Sequence, residues 1–174
     1  MNFLDQYSIQ FASLTPGSYN YNFKVNDSFF EKFEESQIKQ GNVSIDIEFQ
    51  KEAKMLVLNF ILTGSVRLMC DRCLDDFNFD INSNERIIVK FGTDKTDDTE
   101  ELITISEKDY QINISHFIYE FIHLALPTKR AHPEDENGLS LCNPEFIAKL
   151  KEYQNIKTVE IDPRWEVLTK LKKS

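Results

Sequence analysis

The chain has 174 residues and a mass of 20.4 kDa, with 41% hydrophobic residues, 14 Phe, 6 Tyr and a formal net charge of -9. That content excludes disorder as the main state, and the length suits one domain or one domain with a helical appendage. The acidic balance argues against a general nucleic-acid binder, because such proteins neutralise phosphates with a basic excess.

Charge is unevenly spread. Between Asp94 and Asp109 seven carboxylates stand against two lysines, whereas from Asn143 to Ser174 seven basic residues stand against five acidic ones. The start, Met1-Asn2-Phe3-Leu4-Asp5, lacks the basic segment and apolar run of a secretory signal, and nowhere do eighteen apolar residues occur in succession. A cytoplasmic protein with no membrane contact and no small-molecule substrate is the expectation. In a reducing cytosol, cysteines serve metal binding or redox work, or stay as buried thiols, more readily than they form structural disulfides.

Residues 4 to 24 read as two short strands around the turn dipeptide Pro16-Gly17, with Tyr19, Tyr21 and Phe23 alternating after it. Asn26-Asp27-Ser28 offers an N-cap to a short helix through Phe29, Phe30 and Phe33. From Gly41 the period becomes two: Val43, Ile45, Ile47 and Phe49 face one way and Ser44, Asp46, Glu48 and Gln50 the other. Leu56, Leu58, Phe60 and Leu62 continue it, and Val57 and Ile61 make the opposite face apolar too, which marks a more central strand. Gly64 interrupts, as a bend or bulge. Val66, Leu68 and Cys70 lead to a turn, Phe77, Phe79 and Ile81 form a return strand, and Glu85 to Phe91 begin another.

The acidic stretch from Gly92 to Glu101 reads as a mobile loop, without the ligand pattern of a calcium loop. Leu102–Ile105 is a short strand. Ile112 to Ser115 lead into a helix from about His116 to Leu126, whose Phe117, Ile118, Phe121, Ile122 and Ala125 cover the sheet, and Pro127 ends it. His116 and His123 read as partly exposed helix residues rather than a metal pair. Thr128 to Leu141 is a polar connector. Asn143-Pro144 then caps and starts a helix to about Tyr153, and Asp162-Pro163 repeats that grammar before Trp165, Leu168 and Leu171.

The expected fold is α+β: an antiparallel sheet, meander or barrel-like, covered by a helix and followed by a helical C-terminal extension. Residues 1–127 form the sheet with its covering helices. Residues 128–174 supply the connector and last helices as part of the same domain.

The chemistry concentrates in Cys70-Asp71-Arg72-Cys73, two thiols that can chelate one ion or close one disulfide. With His132 and Cys142 they make a Cys3His set, which zinc accepts in closed structural sites. Such a site would clip the later helices onto the hairpin by closing a long loop. The alternatives are a thiol redox centre using Cys70 and Cys73, or thiols that merely pack. Redox centres of this spacing sit at a helix start after a strand, whereas these flanks are strand-like. No Gly-rich phosphate loop, Gly-x-Ser-x-Gly elbow or His-Glu-x-x-His motif occurs, so the expectation is not an enzyme.

In order and type, four features resemble the YceD family. They are Cys70-Asp71-Arg72-Cys73-Leu74 after an extended strand, the helix from Tyr119 to Pro127, the His132 to Cys142 connector, and the closing Asp162-Pro163-Arg164-Trp165 with Leu168 and Leu171-Lys172. The likeness runs from about Val66 to the C-terminus. These bacterial and plastid proteins are also called large ribosomal RNA subunit accumulation proteins. The resemblance implies a non-catalytic role in the accumulation or processing of precursor 23S ribosomal RNA, hence in large-subunit assembly. It matches Cys70, Cys73 and Cys142 to cysteines common in the family, and His132 to a histidine usually found before the last of them. Contact with the rRNA precursor or a pre-ribosomal protein falls to Arg72, Arg130, Arg164, Lys170, Lys172 and Lys173. A zinc-clipped adaptor unrelated to RNA is the remaining alternative.

Overall fold

The computed structural model describes residues 3–93, 99, 101–136 and 138–155. The chain divides into two compact units. The first contains residues 3–69 and 76–130. The second contains the Cys70–Asp75 turn and, among the described residues, the chain after Arg130.

In the first unit, a 3-10 turn (Phe3–Tyr7) precedes β1 (Ser8–Gln10) and β2 (Gly17–Val25), and a single helical turn α1 (Asp27–Phe30) follows. Three long strands come next, β3 (Gln40–Lys51), β4 (Met55–Met69) and β5 (Asp76–Phe91), then β6 (Leu102–Ile105), β7 (Gln111–Asn113) and α2 (Ser115–Leu124). Among the described residues the strands form an open five-stranded sheet in the order β2-β3-β4-β5-β6 and a separate β1-β7 pair. The architecture is therefore the expected α+β class in its meander form, not a closed barrel. β4 holds the centre of the sheet, as its two apolar faces predicted.

Three expectations about the strands are corrected. Gly64 makes neither a bend nor a bulge: the ladder passes through it without a skipped residue on either side, Val43 facing Gly64 and Gly64 facing Ile81. The run 77–81 and the run 85–91 are one strand, because Asn82, Ser83 and Asn84 keep the pairing with β4 despite their polarity. Backbone hydrogen bonds hold an edge-to-edge ladder regardless of side-chain hydropathy. Finally, β1 does not turn at Pro16-Gly17 to pair with β2. It pairs with β7, Ile9 facing Ile112, while β6 joins β5 in parallel, Ile88 facing Leu102. Contacts at such separations leave no local pattern in the sequence.

The apolar positions of the period-two strands turn inward as one set. Val43, Ile45, Ile47 and Phe49 from β3 and Leu56, Leu58, Phe60 and Leu62 from β4 are all at most 1% exposed. α2 lies over them as expected, burying Ile118, Phe121 and Ile122, and the Phe121 ring meets Phe60 edge-to-face at 5.1 Å. Replacing Phe60 by alanine removes that contact and leaves a cavity at the centre of the sheet. We expect a loss of about 3–5 kcal/mol in urea denaturation. α1 stops at Phe30, shorter than its apolar pattern suggested, yet Phe33 still stacks on Tyr119 of α2 at 4.0 Å. Asn113 ties the ends of this unit together: its Oδ1 accepts from the Ser115 amide and hydroxyl, and its Nδ2 donates to the Leu4 carbonyl.

The second unit's helix, α3 (Pro144–Asn155), runs slightly past the expected end. The proposed last helix from Asp162-Pro163 and most of the acidic stretch 92–101 lie outside the described residues.

Candidate metal centre

The two long strands β4 and β5 are joined by only six residues, Cys70 to Asp75. The Cys70 amide donates to the Asp75 carbonyl at 2.9 Å and the Leu74 amide to the Cys70 carbonyl at 2.9 Å. Closing the turn puts Leu74 at φ 63, a left-handed conformation that a branched side chain adopts at a cost. Earlier in the same turn the Arg72 amide donates to Cys70 Sγ, 3.4 Å away. Leu74 directly follows Cys73 and leads the chain back to the start of β5 at Asp76.

The connector after Ala131 solves a second problem. Ten positions separate His132 from Cys142, more than the usual spacing of a second ligand pair. The chain shortens that span by folding as a small hairpin: Glu134 bridges to Ser140, the Leu141 amide donates to the Pro133 carbonyl at 3.1 Å, and Asp135 and Leu139 bond at 2.8 Å. Gly138, at φ 76, supplies the left-handed residue of its turn, and the Asp135 carboxylate accepts from the Leu139 amide at 2.7 Å. His132 and Cys142 thus leave the hairpin side by side. Asn143 then caps α3 as read from the sequence, its Oδ1 accepting from the Glu145 amide at 3.1 Å.

The result is that one ligand atom from each of Cys70, Cys73, His132 and Cys142 lies within 4.8 Å of every other. The three thiols are free and buried. Cys70 Sγ is 3.7 Å from Cys142 Sγ, and Cys73 Sγ is 3.4 Å from His132 Nδ1. A tetrahedral zinc with ordinary bond lengths separates two sulfurs by about 3.8 Å and a sulfur from a nitrogen by about 3.6 Å. The donor set and these two separations therefore fit a tetrahedral ion, and these four residues could hold one.

Electrostatics point the same way. Burial pushes the Cys70 thiol up, but the amides of Cys73, Arg72 and His132 and the His132 side chain outweigh it and bring Cys70 down to about 6. Cys73 moves in the opposite direction: burial raises it, and the neighbouring Cys70 and Cys142 thiols add to that against the amides of Asn143 and Asp75. Backbone donors stabilise one thiolate here, and further negative charge at the same point calls for a cation.

A family model described as large ribosomal RNA subunit accumulation protein YceD matches residues 58–172. The chain belongs to the YceD family. The match begins inside β4 and contains all four ligand candidates, while β1 to β3 precede it. No curated protein and no solved structure matches the chain.

Of the basic residues singled out in this YceD chain, Arg72 is exposed on the Cys-x-x-Cys turn and Arg130 is half-buried at the end of the first unit. Arg164, Lys170, Lys172 and Lys173 lie outside the described residues. His116 and His123 stand outside the Cys3His group, the one cluster of three or more ligand candidates among the described residues. His116 instead meets Glu120 at 3.1 Å, and His123 Nδ1 meets the Tyr119 carbonyl at 2.8 Å. Sequence reasoning missed Leu74, whose left-handed backbone no propensity predicts. It also missed the connector hairpin, for which Asn137-Gly138 was the available signal. No helix among the described residues is long and apolar enough to cross a membrane.

Proposed function

We propose that this protein is a non-catalytic factor in the accumulation and processing of precursor 23S ribosomal RNA, and so in large-subunit assembly, and that Cys70, Cys73, His132 and Cys142 hold a structural zinc. The family match carries the ribosomal part of this reading. The convergence of four donors within 4.8 Å supports the metal. Bound there, zinc would supply a cross-link and no reaction, since all four positions of a tetrahedral ion are taken by protein and none is left for water or substrate. The protein's own part is to hold the Cys70–Asp75 turn against the connector, so that the Arg72 side chain is presented on a rigid loop.

A thiol redox role for Cys70 and Cys73 fits less well. Attack on a substrate disulfide needs an accessible sulfur, and both of these residues are fully buried.

The rRNA contact falls to Arg72 and Arg130 together with Arg164, Lys170, Lys172 and Lys173, basic residues on an otherwise acidic chain. Elemental analysis of purified, tag-free protein is expected to find one zinc per chain. Filter binding against large-subunit rRNA precursor is expected to detect a complex that weakens steeply as salt rises, because binding releases counterions. Absence of binding at low salt would refute direct contact. A chain that also fails to co-sediment with large-subunit precursors would refute the ribosomal role itself.

A further inference from the structure

We propose that the first unit carries a docking groove for a basic, leucine-bearing segment of a protein partner, formed between α2 and the end of the sheet at β5 and β6. This site is independent of the ribosomal reading and shares no residue with the Cys3His group. It is an open groove of about 820 Å³, with apolar lining from Ile103, Phe117, Phe121 and Leu124. Leu124 is 72% exposed and, with the half-buried Phe117, leaves apolar surface open on a helix whose Ile118, Phe121 and Ile122 are buried.

Charge selects the occupant. Among the described residues lining the groove, the carboxylates of Glu85, Glu101 and Glu120 stand against the guanidinium of Arg86 and the imidazole of His116, which meets Glu120 at 3.1 Å. His123 also lines it. Its Nδ1 donates to the Tyr119 carbonyl, which fixes the ring against the helix. Carboxylates over an apolar floor suit lysine or arginine side chains, whose aliphatic stems lie along apolar surface while their heads reach anions. The same set repels phosphate, which disfavours RNA in this groove. A leucine between two basic residues would cover the exposed Leu124.

Fluorescence anisotropy of the full chain with a labelled peptide of alternating lysine and leucine tests this. Saturable binding is expected, weakening about tenfold in the charge-reversed Glu101→Lys/Glu120→Lys variant and by a similar factor in Leu124→Asp, and tightening in Arg86→Gln. All four positions lie at the surface, and unchanged circular dichroism would establish that each variant folds. Three results would overturn the proposal. One is binding that the substitutions leave unchanged. Another is equal affinity for a lysine-only peptide, which would reduce the effect to attraction by the net charge of -9. The third is capture of a labelled single-stranded oligonucleotide that the same substitutions abolish.

Discussion

Serine in place of Cys142 is expected to abolish stable zinc binding and to free the connector and α3 from the Cys70–Asp75 turn. Cys142 is separated from Cys70 by 72 positions in the chain, yet their sulfurs lie 3.7 Å apart. A metal there closes a loop that includes all of β5, β6, β7 and α2, so its binding free energy is also folding free energy for the second unit. Losing a residue that only supports a ligand typically weakens metal sites 10–100-fold, so losing a ligand itself should weaken zinc affinity on the order of a thousandfold or more. Competition against a chromophoric chelator would measure it. Hydrogen exchange supplies the structural readout: amides of the connector hairpin and α3 should lose protection, and the same change should follow when zinc is chelated from the unaltered protein. Amides of β3 and β4 should keep theirs, because the hydrophobic core contains none of the four ligands. Unchanged zinc stoichiometry and affinity in Cys142→Ser would remove the metal clip from consideration.

Alanine at Gly64 is the second large effect. Gly64 sits mid-strand in β4 at φ +154, and a Cβ built there would stand 2.2 Å from the Asn42 carbonyl oxygen and 2.7 Å from Val43 Cα. Both neighbours are backbone of β3, held by the ladder on either side, so neither can move aside as a side-chain tip could. The clash and the unfavourable φ together should cost about 3–5 kcal/mol, visible as a lower urea midpoint with little change in slope. A loss under about 1 kcal/mol would mean that β3 yields at Val43, and that the close strand contact is not what requires glycine.

Much of this protein was legible in its residues. The two-residue period of Val43 to Phe49 and Leu56 to Leu68 named the buried face of two strands correctly, because a half-buried strand shows its register in its hydropathy. The helical spacing of Ile118, Phe121 and Ile122 named the helix that covers them, and Asn143-Pro144 named the start of α3, because caps and periods are local properties. The candidate ligands were also readable, since cysteine and histidine are few enough in this chain for each to count.

Pairing was not legible. β1 chose β7 over its neighbour in sequence, β6 ran parallel to β5, and the polar stretch 82–84 stayed within one strand. Each of these depends on which backbone edge is free when the chain arrives, and side-chain type does not record that.

The residues alone thus settled which faces are apolar and which atoms could bind a metal. Only the folded chain decided that those atoms meet. A hairpin turned by Gly138 carries His132 to Cys142, and the hydrogen-bonded turn from Cys70 to Asp75 keeps Cys70 and Cys73 together; both are consequences of backbone geometry summed over many residues. Convergence of that kind is a property of three-dimensional paths, whereas hydropathy and spacing report only what neighbours along the chain do to one another.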